Sequence, residues 1–239
     1  MVDKLVSQQL ERTALKVYQA IDKNKQGKDI QESEECLWYE LVSCILGSKV
    51  PFEQAQSATN HLINNNLLDI NDCRQDGLQF EGRIVESLTQ PIPLVVGASN
   101  SYFKYRYPRL RASHIRRSAE SIYADNCSIK WILNSTRDPS EMRIKIMQSS
   151  VGIGPKQSSL FLRNIGFTDR LAILDVHVLR YMFLVGIINV KTQAVSTLTK
   201  YQEIEGYLRS YANKLGTNLA YFDTAIWVTM RVFQREVVL

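Results

Sequence analysis

The stretch that most constrains this chain is Gly152-Ile153-Gly154-Pro155-Lys156. Two glycines around one apolar residue favour a tight turn, because glycine takes backbone torsions and close approaches that a β-carbon obstructs. Pro155 suits the first turn of a following helix, where its missing N–H is not needed. Pro139-Ser140-Glu141 opens a helix through 142–149 just before it, so the stretch reads as a hairpin between two helices. Unpaired N–H groups at such a turn can hold one phosphate. Lys156 stands directly after this cradle. Asp175 follows nineteen residues later and opens Val176-His177-Val178-Leu179-Arg180-Tyr181-Met182.

The helical period runs through the rest of the chain. Leu5, Leu10, Leu15, Val17 and Ile21 mark a first helix, ended by the polar stretch 22–29. Ser33-Glu34-Glu35 starts a second, carrying Cys36, Leu37, Leu41 and Ile45. Pro51 starts a third that runs through Ala55 and Ala58 to Leu62, and Asn64-Asn65-Asn66 stops it. A short helix over 80–88 is broken by Pro91-Ile92-Pro93. A basic amphipathic helix over 109–123 and a short one over 129–133 precede the hairpin; helices over 195–215 and 219–232 close the chain. No strand alternation and no repeat stand out. The expected fold is all-α and two-lobed, with a ligand cleft between the lobes. The expected division is an N-terminal helical region (1–100), a helix-hairpin-helix catalytic domain (101–195), and C-terminal helices (196–239) packing back on the N-terminal lobe.

A length of 239 residues suffices for one or two domains with a real core, and 45% apolar with 22% charged residues is ordinary for a globular protein. The net charge of +5 is compatible with nucleic acid without demanding it. The N-terminus lacks a signal peptide's apolar run. The most apolar stretch, 173–190, is interrupted by Asp175, His177 and Arg180, which argues against a membrane span. A cytoplasmic protein is expected. Cys36, Cys44, Cys73 and Cys127 are far apart with no C-x-x-C pair, so they read as reduced thiols, with Cys44 in the core. His61, His114 and His177 are too scattered for a metal site. No metal or cofactor is expected.

A lysine, a carboxylate and a phosphate clamp suit removal of a base from DNA. A neutral lysine amine can add to the anomeric carbon of a sugar, and the Schiff base that results permits strand cleavage by elimination. A carboxylate can stabilise the positive charge that develops on the sugar. Two readings stay open at each position. Lys156 is a nucleophile or a phosphate-contacting lysine on a binding turn; Asp175 is a helix N-cap, an electrostatic partner, or both. His177 is a phosphate contact or an ordinary surface histidine. Asp223 and Trp227, four apart on one helical face, are a base pocket or a buried tryptophan with a capping or ion-paired carboxylate. Arg106, Arg109, Arg111, Arg116 and Arg117, interleaved with aromatics from Tyr102 to Tyr107, line a DNA groove or form a solvated basic helix. The stretch from Gly47 through Lys49 to Phe52 reads first as a helix–helix turn.

The stretch 151–181 resembles the helix-hairpin-helix DNA glycosylases, and within them the 8-oxoguanine DNA glycosylase/abasic-site lyases. Asp175-Val176-His177 matches their Asp-x-His, and Phe161-Leu162-Arg163-Asn164-Ile165-Gly166-Phe167 matches the compact class typified by archaea. The resemblance implies a bifunctional glycosylase/β-lyase that excises an oxidised purine. In it Lys156 is the Schiff-base nucleophile and Asp175 its partner, while Gly152, Gly154, His177, Arg106 and Lys49 contact DNA. Lys49 falls where the resemblance places a gap-filling loop. Asp223 and Trp227 would line the base pocket. The implied partner is double-stranded DNA carrying a damaged base, met by a monomer without cofactor. The compact class tends to finish soon after a tryptophan with a terminal lysine, whereas this chain runs on to Val237-Val238-Leu239. Another modified base is therefore the alternative substrate, and a non-catalytic DNA-binding protein the alternative class.

Overall fold

A computed structural model describes residues 4–21, 33–96 and 99–237. Among them, twelve α-helices and one two-stranded hairpin divide between two compact units. One unit comprises residues 31–153; the other joins residues 1–30 to 154–239. These boundaries differ from the divisions at 100 and 195 read from the sequence. The cause is the first helix, α1 (Lys4–Ala20), which packs along the last, α12 (Leu219–Val237). The polar stretch 22–29 lies outside the described residues.

In the unit of residues 31–153, Ser33 caps α2 (Glu34–Leu46) by accepting from the Cys36 N–H at 3.1 Å. The apolar face of α2, including Leu37, Trp38, Leu41, Cys44 and Ile45, is buried. It packs on α3 (Phe52–Asn64), α6 (Pro108–Ile122) and α7 (Ile129–Leu133). Each large apolar side chain buried this way contributes about 1.5–3 kcal/mol. Asp138 caps α8 (Pro139–Ser149), which leads into the hairpin.

Two features of this unit escaped the sequence pattern. Helix α4 (Ile70–Gln75) has Cys73 as its one buried residue, so no period could reveal it. Asp69 caps it, and Asp76 caps α5 (Gly77–Thr89), which packs on α6. After α5 the chain continues as β1 (Ile92–Val96), antiparallel to β2 (Ser99–Phe103), with Ile92 opposite Phe103. Pro93 cannot donate to a ladder but is tolerated in such a ribbon. Ser99-Asn100-Ser101 have little strand propensity, which hid the partner strand. The fold remains all-α in class.

The other unit is built from α1, α9 (Pro155–Asn164), α10 (Val176–Leu184), α11 (Leu198–Lys214) and α12. Its core contains Leu10, Ala14, Leu179, Met182, Tyr201, Leu208, Phe222 and Ile226. Polar links between distant parts of the chain fix its register. The Tyr211 hydroxyl donates to Glu11, and the Asn218 N–H donates to the Tyr18 hydroxyl at 3.0 Å. No helix among the described residues is long and apolar enough to cross a membrane.

Candidate active site

The turn after α8 is shaped by its backbone. Gly152 has φ +80, a torsion that a β-carbon strains, and an added Cβ there would lie 2.1 Å from His114 Nδ1. The Val151 N–H donates to Ser118 Oγ at 2.8 Å, and Ile153 is buried. The hairpin is thus seated on α6 by its first three residues. Gly154 begins α9 without a side-chain cap, and Pro155 occupies the first turn. An uncapped first turn keeps donors for an anion. Gly154 has φ −104 and open space where a Cβ would sit, so sterics among the described residues do not require glycine there.

Lys156 is partly buried on the first turn of α9. Among the described residues nothing forms an ion pair or hydrogen bond with its amine. Asp175 caps α10 with one oxygen only. Its Oδ1 accepts from the His177 and Val178 N–H groups, each at 2.9 Å. Oδ2 has no partner among the described residues. The capping and electrostatic readings therefore coexist in one side chain.

The segment leading to Asp175 is held by buried side chains from two helices. Glu205 Oε1 accepts from the Ala172 N–H at 2.8 Å, Asp223 Oδ2 from the Ile173 N–H at 2.7 Å, and the Tyr201 hydroxyl from the Leu174 N–H at 2.9 Å. The same hydroxyl donates to the Ala172 carbonyl at 2.8 Å. Buried backbone donors need partners, and here each consecutive N–H finds one.

Of the two readings of Asp223, this arrangement favours the ion-paired carboxylate over the base-pocket acceptor. Its side chain is only 3% exposed, and Arg163 Nη1 donates to both of its oxygens at 2.5 Å. Arg163 Nη2 also donates to the Ala220 carbonyl and Thr224 Oγ1. Both Asp223 oxygens are thus engaged within the fold, by Arg163, the Ile173 N–H and Thr224 Oγ1. Burial pushes this carboxyl up to about 6, against the opposing pull of Arg163 and the Ile173 N–H. At neutral pH it is the ionised partner of Arg163.

Trp227 is partly buried and stands beside the start of α10. Its ring meets His177 edge-on at 6.5 Å between centroids, and the Arg231 guanidinium lies 4.6 Å from its ring centre. His177 Nδ1 is buried without a hydrogen-bond partner. Burial lowers the His177 pKa, Arg231 and Arg180 add to the shift, and Asp175 opposes it. The His177 ring N–H can donate to a phosphate.

The expected DNA-contacting residues of the other unit separate into two groups. Lys49 is exposed, with φ +63, on a turn tied down by Arg111 and Tyr105, which donate to the Ser48 and Leu46 carbonyls at 2.7 Å each. Arg106 is exposed with its guanidinium 5.3 Å from the Tyr107 ring centre; Arg109 and Arg117 are exposed too. Arg111 is buried, and Arg116 is bound to Glu81 and Glu120 at 2.6 Å each. The basic stripe is thus partly internal scaffolding. Sequence reasoning also missed Arg163, Tyr201, Glu205 and the role of His114. The available signal was a charged residue, Arg163, directly after the buried pair Phe161-Leu162.

The 8-oxoguanine DNA glycosylase family model matches residues 96–217. An 8-oxoguanine DNA glycosylase/AP lyase of Korarchaeum cryptofilum is 29% identical over 230 residues, 95% of each chain. One of Metallosphaera sedula is 30% identical over 198 residues, covering 82% of this chain and 83% of its own. The crystal structure of the Thermotoga maritima 8-oxoguanine DNA glycosylase superposes with a TM-score of 0.69 at 25% identity, over 94% of this chain and 95% of that one.

Proposed function

Because this chain belongs to the 8-oxoguanine DNA glycosylase family, we propose that it releases 8-oxoguanine from double-stranded DNA through Lys156 and Asp175. It is a DNA glycosylase with abasic-site lyase activity. The observation that carries the assignment of residues is the division of labour at Asp175. Oδ1 serves the helix, while Oδ2 remains for charge developing elsewhere.

The Lys156 amine attacks the anomeric carbon of the damaged nucleotide through its nitrogen lone pair. The bond from that carbon to the base breaks, and the base leaves with the electron pair and takes up a proton. The sugar carries positive charge as this bond breaks, and the Asp175 carboxylate stabilises it. The bond from C1′ to the ring oxygen then breaks, the oxygen takes up a proton as the nitrogen gives one up, and a Schiff base forms on Lys156. Loss of a proton from the neighbouring C2′ then expels the 3′ phosphate and cuts the strand. Gly152 and Gly154 let the hairpin backbone approach a phosphate, and His177 donates to another. Lys49 and Arg106 add phosphate contacts, whose share in binding falls with salt. Trp227 stacks on the extruded base. The enzyme works as a monomer in the cytoplasm.

A panel of duplexes, each with one modified base, tests this reading when incubated with and without borohydride. Release of 8-oxoguanine in preference to the other bases, together with a borohydride-trapped protein–DNA adduct, is the expected result. Preferential release of another base would replace the substrate. Binding without release or trapping would leave a non-catalytic DNA-binding protein.

A further inference from the structure

The Arg163–Asp223 pair does more than fill the core between α9 and α12. We propose that it is a positioning device for the reaction, holding the segment that aims Asp175 in fixed relation to the helix that carries Lys156. The proposal rests on the roles given above to those two residues.

The covalent layout supports this. Arg163 follows Lys156 by seven residues, so the two lie on nearly one face of α9, about 10 Å apart along its axis. At the far end of that face, Arg163 binds both oxygens of Asp223 on α12. Asp223 Oδ2 then holds the Ile173 N–H, two residues before Asp175. Glu205 and Tyr201 hold the neighbouring N–H groups, but both belong to α11. Among these links, only Asp223 ties the segment to the helix of Lys156.

A purely stabilising role would not need this pattern. A buried ion pair is often no more stabilising than apolar residues of similar volume. An apolar pair, however, would leave the Ile173 N–H without its acceptor. The pair also has fixed geometry, since Arg163 is anchored at Ala220 and Thr224 as well as at Asp223. Displacement of a reacting group by about 1 Å can slow a reaction about a hundredfold.

The test is a cycle of Asp223→Asn, Asp175→Asn and the double variant, read by single-turnover release of 8-oxoguanine at saturating enzyme. Affinity for duplex with a reduced abasic site is measured alongside. The Asp223→Asn variant should slow release about tenfold to a hundredfold, with affinity changed less than about threefold. The double variant should be no slower than Asp175→Asn, because Asp223 acts through Asp175. Wild-type release by Asp223→Asn would overturn the proposal, as would losses that multiply in the double variant. If Asp223→Asn does not fold, Arg163→Lys takes its place; it keeps the charge, loses the fork, and is judged by the same outcomes. Full-rate release by Asp175→Asn alone would overturn the reading of Asp175, and this proposal with it.

Discussion

Two short stretches carry the proposed chemistry, and they are built by opposite means. The hairpin at 151–156 is shaped by its own backbone. Gly152 takes a left-handed torsion, the Val151 N–H leans on Ser118, and no side chain caps α9. The segment at 171–175 forms neither helix nor strand, and the Asp175 N–H closes a tight turn on the Ile173 carbonyl at 2.9 Å. Glu205, Asp223 and Tyr201 hold it in place from helices that begin more than twenty residues later. The first site depends on local torsion and a seat on α6, the second on a buried polar network. Substitutions should therefore fail differently in the two stretches.

The largest expected effect is chemical and lies at the second stretch. Asp175→Asn should slow base release by about a hundredfold or more, the scale seen when a group that stabilises developing charge is removed. Asparagine also caps helices well, so the melting temperature should stay close to wild type. A variant that melts like wild type and excises at full rate would reduce Asp175 to its capping role. Gly152→Ala should fail the other way. The left-handed torsion costs about 1–3 kcal/mol, and the new Cβ collides with the His114 ring. Melting temperature should fall by several degrees and lesion-DNA binding should weaken. Unchanged melting and binding would show that the hairpin does not need glycine there.

Trp227→Ala should weaken discrimination between damaged and normal base by about tenfold to a hundredfold, from lost stacking of roughly 1–3 kcal/mol. Binding to abasic-site DNA should change less. Circular dichroism must first show the variant folded, because the ring also packs on His177 and Arg231. Equal discrimination in a folded variant would move the base pocket elsewhere.

The smallest effect is on pH. Burial lowers the pKa of both His114, beside the hairpin, and His177, on the Asp175 helix, from 6.5. The unfolded chain takes up these protons first as pH falls. The associated stability is therefore full above about 6.5 and is lost below it. His177→Gln should reduce the drop in melting temperature between about pH 7.5 and about pH 5.5 by a few degrees at most. An unaltered slope would exclude His177 as its source.

The same contrast explains what the sequence revealed. Gly152, Pro155 and Lys156 are neighbours in the chain, so their torsional demands could be read directly. Asp175 showed itself by opening a periodic apolar helix. Helix spans were legible for the same reason: Ser33 and Asp175 cap the helices that follow them, and Pro139 occupies the first turn of its own. The network behind Asp175 was not legible, because Arg163, Tyr201, Glu205 and Asp223 meet only in space. Asp223 drew notice for its spacing from Trp227, yet spacing on a helix face does not show which partner a carboxylate meets. β1 and β2 were hidden by Pro93 and the polar start of β2. The boundaries of the units depended on the pairing of α1 with α12, which no local pattern encodes.

Lys156 is the proposed site of the covalent intermediate. Wild-type enzyme trapped by borohydride on duplex containing 8-oxoguanine can be digested, and the modified peptide identified by mass spectrometry. One adduct is expected, on the amine of Lys156, and none from Lys156→Gln, which should still bind the lesion duplex. An adduct on any other amine, or undiminished trapping by Lys156→Gln, would contradict it.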